Sequence, residues 1–196
     1  ALSSAASDVY KRQRMDYANR ILVNKYGQKK VKTCMPSQFE QLLDDVRPAE
    51  VIITSVDRTH HDYIIRAMKK GYDVICEKPL TIDEEKAQEI ITVQKQTGRS
   101  LRVTFNYRYA PYHTKIKELI ESDVIGDVFS IHFEWLLNTQ HGADYFRRWH
   151  RNKHNSGGLL VHKSTHHFDL VNFWLNSRPQ KVFASVSYTH LRAHET

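Results

Sequence analysis

Three short apolar runs, separated by segments with helical spacing, constrain the fold of this chain more than any other feature. The runs are Val51–Val56, Tyr72–Cys76 and Leu101–Phe105. The first of them is a continuous apolar run, which is typical of a parallel strand that is buried on both faces. Parallel strands need long crossovers, and the helical segments between the runs supply them. The pattern therefore predicts an α/β fold with a doubly wound parallel sheet and right-handed crossovers.

The segments between these runs carry start and stop signals for helices. We predict a helix over His60–Lys70 that ends at Gly71. We predict a second helix over Thr81–Thr97, because Thr81 and Glu84 have the spacing of a capping box.

The region before the first run is predicted to continue the alternation. Tyr17–Tyr26 has the spacing of a helix, and Val31–Cys34 has the character of a short edge strand. Ser37 is a candidate N-cap for a helix over Gln38–Asp45.

Composition limits the classes of partner. The 196 residues carry a formal net charge of +7, but their basic side chains are interspersed with acidic ones and form no groove-reading motif. We therefore expect no nucleic-acid partner, and at most an anionic ligand near the sheet. No apolar stretch approaches the ~20 residues that span a bilayer, so we expect no membrane partner.

The two cysteines and the chain ends bear on cellular context. Cys34 and Cys76 lie in predicted strands, which favours buried, reduced thiols and makes a cytoplasmic location the default. Residues 7–13 and 187–196 resemble translated adapter sequence, so we expect non-native tails over 1–13 and 187–196.

Lys78 is the first candidate for chemistry. It follows the run Tyr72–Cys76, and ligands of open α/β sheets bind at the carboxyl ends of strands. Pro79 fixes its own φ and favours extended backbone at Lys78, so the ammonium projects in a defined direction. A salt bridge between Lys78 and Glu77 is the structural alternative.

A second candidate lies in the helix predicted after Gly157-Gly158. His162, His166 and Asp169 are spaced i, i+4 and i+7, which places them on one side of that helix. Such a set could bind zinc, but the glutamate of a His-Glu-x-x-His motif is absent and Lys163 would repel a cation, so we expect no metal. A purely structural pair of histidines remains an alternative.

Several motifs, taken in order, resemble those of the glucose–fructose oxidoreductase and inositol dehydrogenase (Gfo/Idh/MocA) family. They are Ser55-Val56-Asp57 with His60, Cys76-Glu77-Lys78-Pro79-Leu80, Asn106-Tyr107-Arg108-Tyr109, and Gly157-Gly158 followed by His162, His166 and Asp169. The resemblance covers roughly residues 14–186. Its specificity comes from order and spacing, because Glu-Lys-Pro alone is a weak signal.

The resemblance implies a fold in two parts. A partial NAD(P)-binding Rossmann domain is expected over 14–107, followed over 108–186 by part of a substrate and oligomerisation domain with a mainly antiparallel open sheet. That second part is expected to begin with a helix over Pro111–Glu121 and a long strand over Val128–Trp135. The chain contains no Gly-x-Gly-x-x-Gly phosphate loop, so we expect a fragment that is inactive by itself.

The resemblance also implies an activity and roles for individual residues. For the full-length protein it implies a homo-oligomer that transfers a hydride between NAD or NADP and a sugar, cyclitol or related polyol or keto-sugar. His166 is expected to act as general base and Lys78 to orient the substrate and relay a proton, with His162 beside them where the family often has aspartate. Cofactor contact is implied for Ser55, Asp57, His60, Glu77, Lys78, Asn106 and Arg108. Substrate contact is implied for Lys78, Arg148, Trp149, His162 and Asp169.

Other interpretations of these residues remain open. Arg108 could be a surface cation, and His60 could cap the helix that follows it. The aromatic residues around Trp149 could simply attach a loop to the core. At the level of function, the alternatives are NAD-assisted elimination or hydrolysis of a glycosidic bond, and a non-catalytic family member.

Overall fold

The computed structural model describes residues 2–138, 140 and 145–185, with side chains from residue 11 onward. The chain divides into two units, Ala1–Ala49 and Glu50–Thr196. None of the described helices is both long and apolar enough to cross a membrane. The tail expected at 187–196 lies outside the described residues.

The first unit consists of two helices joined by an irregular segment. Helix α1 spans Leu2–Tyr26, and α2 spans Phe39–Val46 after a 3-10 turn over Pro36–Gln38. The predicted helix Tyr17–Tyr26 is therefore the last part of α1. Ser37 lies inside the 3-10 turn, so the prediction that it caps α2 is wrong.

The prediction of an edge strand over Val31–Cys34 is also wrong. The backbone of Val31 donates to Asn19 Oδ1 at 2.9 Å and accepts from Asn19 Nδ2 at 3.2 Å. The side-chain amide on α1 thus takes the place that a neighbouring strand would occupy in a ladder. Cys34 is half-buried outside any strand, whereas Cys76 is buried, and both thiols are free.

A three-stranded parallel sheet organises the second unit. Its strands are β1 Glu50–Ile53, β2 Asp73–Cys76 and β3 Leu101–Val103, in the order β1-β2-β3. Helix α3 Asp57–Lys69 connects β1 to β2, and α4 Glu84–Thr97 connects β2 to β3. The predicted α/β class with parallel strands is confirmed, and the register places the carboxyl ends of all three strands at one edge.

One face of this sheet packs against α3, which in turn packs against α4. Val51 and Ile53 are buried, whereas Ile52 between them is 68% exposed. The prediction that β1 is buried on both faces is therefore wrong for the described part of the chain, because alternate side chains point to opposite faces and α3 covers only one. The core beneath this face includes Ile64 and Met68 of α3, both fully buried.

The N-cap of helix α4 lies two residues after the predicted one. Asp83, not Thr81, is the N-cap, and its Oδ1 accepts from the backbone N–H of Lys86 at 3.0 Å. A carboxylate is well suited to this position because it both accepts from the N-terminal N–H groups and interacts favourably with the helix dipole. Gly98 ends the helix with a φ of +64°, as predicted.

The described residues after β3 include three helices and two short 3-10 turns. They are a 3-10 turn over Asn106–Tyr109, α5 Pro111–Glu121, a 3-10 turn over Trp149–Arg151, α6 Lys153–Ser156 and α7 Leu159–Leu175. Helix α5 packs against α7, where Trp174 Nε1 donates to the carbonyl of His113 at 3.1 Å. The prediction of a strand over Val128–Trp135 is wrong, because this segment finds no strand among the described residues with which to form a ladder.

Candidate functional site

The amino end of α7 is held against the loop that follows Lys78. Gly157 precedes α7 with a φ of +70°, and a Cβ there would lie 2.7 Å from the backbone oxygen of Ile82. Only glycine accommodates both this backbone conformation and this close approach. The first turn of α7 is therefore brought to the carboxyl edge of the sheet, where Lys78 lies.

Three side chains form a hydrogen-bonded chain at this edge. Lys78 Nζ lies 3.3 Å from His162 Nε2 and donates to the carbonyl of His162 at 3.2 Å. The other ring nitrogen, His162 Nδ1, lies 2.5 Å from Asp57 Oδ2. Asp57 is 3% exposed and His162 is 7% exposed. A carboxylate, an imidazole and an ammonium thus meet in a site with little solvent.

The backbone around Lys78 is fixed by Glu77. The Glu77 carboxylate accepts from the backbone N–H of Lys78 at 2.9 Å through Oε2 and from Thr104 Oγ1 at 2.9 Å through Oε1. Glu77 therefore links the residues that follow β2 and β3. Burial lowers the pKa of the Lys78 ammonium, and the negative charges of Asp57 and Glu77 oppose that effect.

His166 lies one turn further along α7 in an apolar environment. Its ring is 4% exposed, stacks on Tyr107 with centroids 4.1 Å apart, and meets the edge of Phe105 at 6.1 Å. Its Nδ1 is buried without a hydrogen-bond partner in the described structure. Burial, reinforced by the charges of Lys78 and Lys163, lowers the pKa of His166 to about 4. At neutral pH the imidazole is uncharged, the form that can accept a proton.

Asp169 and Arg108 bind one another. Arg108 Nε donates to Asp169 Oδ2 at 2.7 Å, and a second guanidinium nitrogen contacts Oδ1, so the pair is bidentate. The structure thus joins a residue predicted for substrate contact, Asp169, to one predicted for cofactor contact, Arg108. Arg108 also lies over the ring of Phe173, 5.2 Å from its centroid.

The aromatic segment before α6 packs beside His162. The rings of Trp149, His150 and Tyr145 have centroids 5.8, 4.7 and 5.4 Å from that of His162. Trp149 therefore lies at the candidate site, whereas Arg148 before it is exposed. The same segment is attached to the core, since the buried hydroxyl of Ser156 donates to the carbonyl of His150 at 2.8 Å.

His60 and Ser55 position the loop after β1. His60 is fully buried in the first turn of α3, with Nδ1 2.9 Å from the carbonyl oxygen of Pro79 and Nε2 3.0 Å from that of Ser55. It therefore joins the loops after β1 and β2 from inside the helix rather than capping it. Ser55 is exposed at this edge, and its Oγ lies 2.7 Å from Thr59 Oγ1.

Asn106 does not lie with the hydrogen-bonded side chains of Asp57, His162 and Lys78. Together with Arg108, Arg102 and Tyr109 it lines a cavity of about 540 Å³ at the end of β3. In the described part of the chain, no group of three or more His, Cys, Asp or Glu side chains is arranged to hold a metal ion.

The sequence predicts no role for two residues near His166. Tyr107 stacks on the imidazole, and its hydroxyl accepts from Lys163 Nζ at 2.7 Å. Tyr107 belongs to a motif noted in the sequence and Lys163 to the helix predicted after Gly157-Gly158, but 56 residues separate them and no local pattern pairs them. No local pattern predicted the contact between Asp57 and His162 either. The position of Asp57 after a parallel strand does indicate that it lies at the ligand-binding edge.

Two family models match this chain. One, for the oxidoreductase family NAD-binding Rossmann fold, matches residues 4–105. The other, for the oxidoreductase family C-terminal alpha/beta domain, matches residues 117–195.

Known proteins similar to this chain include two curated relatives. YteT of Bacillus subtilis (strain 168) is 44% identical over 146 residues, which are 74% of this chain and 34% of YteT. Inositol 2-dehydrogenase of Rhizobium meliloti (strain 1021) is 31% identical over 139 residues, which are 71% of this chain and 40% of the relative. The matched residues thus span less than half the length of these two relatives.

A solved structure shares the fold. It is an inositol dehydrogenase homolog from Azotobacter vinelandii complexed with NAD+, with a TM-score of 0.64 at 20% sequence identity. The match covers 81% of this chain and 43% of the solved one.

Proposed function

This chain belongs to the Gfo/Idh/MocA oxidoreductase family, and we propose that it is part of an NAD(P)-dependent dehydrogenase acting on a polyol or keto-sugar. One observation carries the proposal: Lys78 Nζ contacts His162 at the carboxyl edge of the sheet, and His162 lies one turn of α7 from the buried, neutral His166. The named activity of the inositol 2-dehydrogenase relative supports this substrate class.

The proposed division of the chain follows its sequence motifs. We assign residues 14–107 to the nucleotide-binding domain and 108–186 to the substrate and oligomerisation domain. The matches of the two family models, over 4–105 and 117–195, support a boundary in this region.

The proposed place of the nicotinamide is the carboxyl edge of β1 and β2. The exposed hydroxyl of Ser55 and the ordered backbone after Glu77 lie there, and this edge is where open α/β sheets bind ligands. No Gly-x-Gly-x-x-Gly occurs in the sequence, so we assign no residue to the pyrophosphate. When bound, the nicotinamide accepts or supplies the hydride.

The proposed chemistry of the protein side is a proton transfer at the substrate hydroxyl. His166 takes the proton of the hydroxyl as the carbon that bears it is oxidised to a carbonyl. The ammonium of Lys78 donates a hydrogen bond to the same oxygen and fixes its position. Trp149 and Arg148 contact the polyol, the ring through its apolar face and the guanidinium through its N–H groups.

Replacement of Lys78 tests the proposal. In a full-length protein that carries this chain, Lys78→Ala should lower kcat/KM for NAD(P)-dependent polyol oxidation by about 10²–10⁴-fold. Lys69→Ala is the matched control, because Lys69 is an exposed lysine near the end of α3. The measurement is the formation of reduced nicotinamide with a panel of inositols and sugars.

Two results would contradict this proposal. Unchanged turnover in Lys78→Ala would remove Lys78 from the chemistry. A new sugar product formed without net reduction of the cofactor would reject plain dehydrogenation and favour NAD-assisted elimination or hydrolysis.

A further inference from the structure

We propose that Asp57 is the positioning residue that fixes the tautomer and the ring orientation of His162, and through it the ammonium of Lys78. The assignment of the His162 tautomer and ring orientation depends only on the contacts of these three side chains. Its consequence for catalysis rests on the function proposed above.

The two partners of His162 select the same tautomer. An ionised carboxylate only accepts hydrogen bonds, so Nδ1, 2.5 Å from Asp57 Oδ2, must carry a hydrogen. An ammonium only donates, so Nε2, 3.3 Å from Lys78 Nζ, must offer its lone pair. The neutral imidazole with its hydrogen on Nδ1 satisfies both partners.

The burial of Asp57 makes this contact costly to lose. Asp57 is the first residue of α3, where the helix dipole favours a negative charge, and it is 3% exposed. A buried carboxylate needs hydrogen-bond donors, and His162 Nδ1 supplies one from 105 residues away in the sequence. The ring of His162 is in turn confined by its aromatic neighbours, so the hydrogen bond and the packing define one orientation.

The consequence for Lys78 follows from its contact with His162, which in turn contacts Asp57. Without the Asp57 carboxylate, the imidazole can carry its hydrogen on Nε2, which would then face the hydrogens of the ammonium. Lys78 Nζ would lose an acceptor and move away from His162. Small displacements of a group that orients substrate lower kcat strongly, because the reacting atoms must be held in a narrow range of geometries.

The tautomer of His162 is measured by NMR of protein labelled with 15N-histidine, using a full-length protein that carries this chain. The His162 signals are assigned by their loss in His162→Gln. We expect a protonated Nδ1 and an unprotonated Nε2 in the unaltered protein. The opposite tautomer there would overturn the inference without any variant of Asp57.

Asp57→Asn then tests whether Asp57 is the cause. The amide side chain is nearly isosteric but lacks the charge, so we expect both tautomers of His162 and a fall in kcat of about 10–10²-fold. Asp62→Asn is the matched control, since Asp62 is an exposed carboxylate on the same helix. An unchanged His162 tautomer in folded Asp57→Asn would overturn the inference.

The outcomes separate this inference from the proposed function. A changed tautomer in Asp57→Asn, in a protein that oxidises no polyol, would support the role of Asp57 and overturn the proposed function. A changed tautomer with unaltered kcat in an active dehydrogenase would overturn the catalytic consequence.

Discussion

His162 and His166 lie one turn apart on the same face of α7 and are almost equally buried, yet their surroundings are opposite. His162 has a carboxylate on one ring nitrogen and an ammonium near the other. His166 lies against aromatic rings and has an Nδ1 without a partner among the described residues.

The difference shows that burial alone does not define what a histidine can do. Around His166, desolvation makes the charged form costly, so the pKa falls to about 4 and the ring stays neutral. Around His162, two partners of opposite charge determine which ring nitrogen carries the hydrogen. We therefore assign proton acceptance to His166 and positioning to His162.

The largest expected effect is on kcat, and it distinguishes proton acceptance by His166 from positioning by His162. In a full-length protein that carries this chain, His166→Gln should lower kcat by about 10²–10⁴-fold, because the base is lost. His162→Gln should cost only about 10–10²-fold, because Lys78 remains and is merely less well placed. His154→Gln, at an exposed histidine of α6, is the control. Steady-state kcat and KM check this, and a larger loss in His162→Gln would reverse the assignment.

The comparison extends to Asp169, one further turn along α7. Arg108→Ala should destabilise the protein by about 3 kcal/mol, because it leaves a carboxylate that is 9% exposed without its bidentate partner. Asp169→Asn should cost less, since the half-exposed Arg108 guanidinium can be solvated. Urea unfolding measures both, with Arg58→Ala at an exposed arginine as control. A greater cost for Asp169→Asn would show that the carboxylate is stabilised by other groups.

The pH dependence of stability tests the environment of His166. Its pKa is about 4 in the folded protein against an ordinary 6.5, so between these values the unfolded chain binds a proton that the folded protein does not. Stability should therefore fall as the pH decreases from 6.5 to 4, by about 3 kcal/mol from this group, with no further contribution below pH 4.

The matched comparison is His166→Gln, which removes this contribution. Burial also lowers the pKa values of His113, His150 and His167, and these groups act in the same direction in both proteins. The difference between the two stability profiles therefore isolates His166. Parallel profiles between pH 6.5 and 4 would contradict a desolvated, neutral imidazole.

The smallest expected effect concerns the close approach that brings His162 to Lys78. Gly157→Ala places a Cβ against the backbone oxygen of Ile82 and strains a φ of +70°. Gly98→Ala strains a similar φ of +64° but meets nothing within 4 Å, so it measures the backbone cost alone. We expect Gly157→Ala to cost about 2 kcal/mol more than Gly98→Ala in urea unfolding. Equal costs would show that the approach at Gly157 is easily relaxed.

Local sequence patterns predicted the elements whose causes are local. The parallel strands, the crossover helices and the stop at Gly98 follow from apolar runs and from residues within a few positions of each helix end. The failures at Val31–Cys34 and Val128–Trp135 concern strands, which exist only when a partner strand is present to pair with. No pattern within either segment reveals whether that partner is available.

In the candidate site, too, local sequence patterns predicted some features and only the tertiary structure revealed the others. Spacing alone placed His162, His166 and Asp169 on one side of a helix, and the position after a strand placed Lys78 at the ligand-binding edge. Only the tertiary structure paired His162 with Asp57 and Asp169 with Arg108, across 105 and 61 residues. These contacts depend on how α7 packs against the sheet, and that packing decided which buried histidine received charged partners and which was placed against aromatic rings.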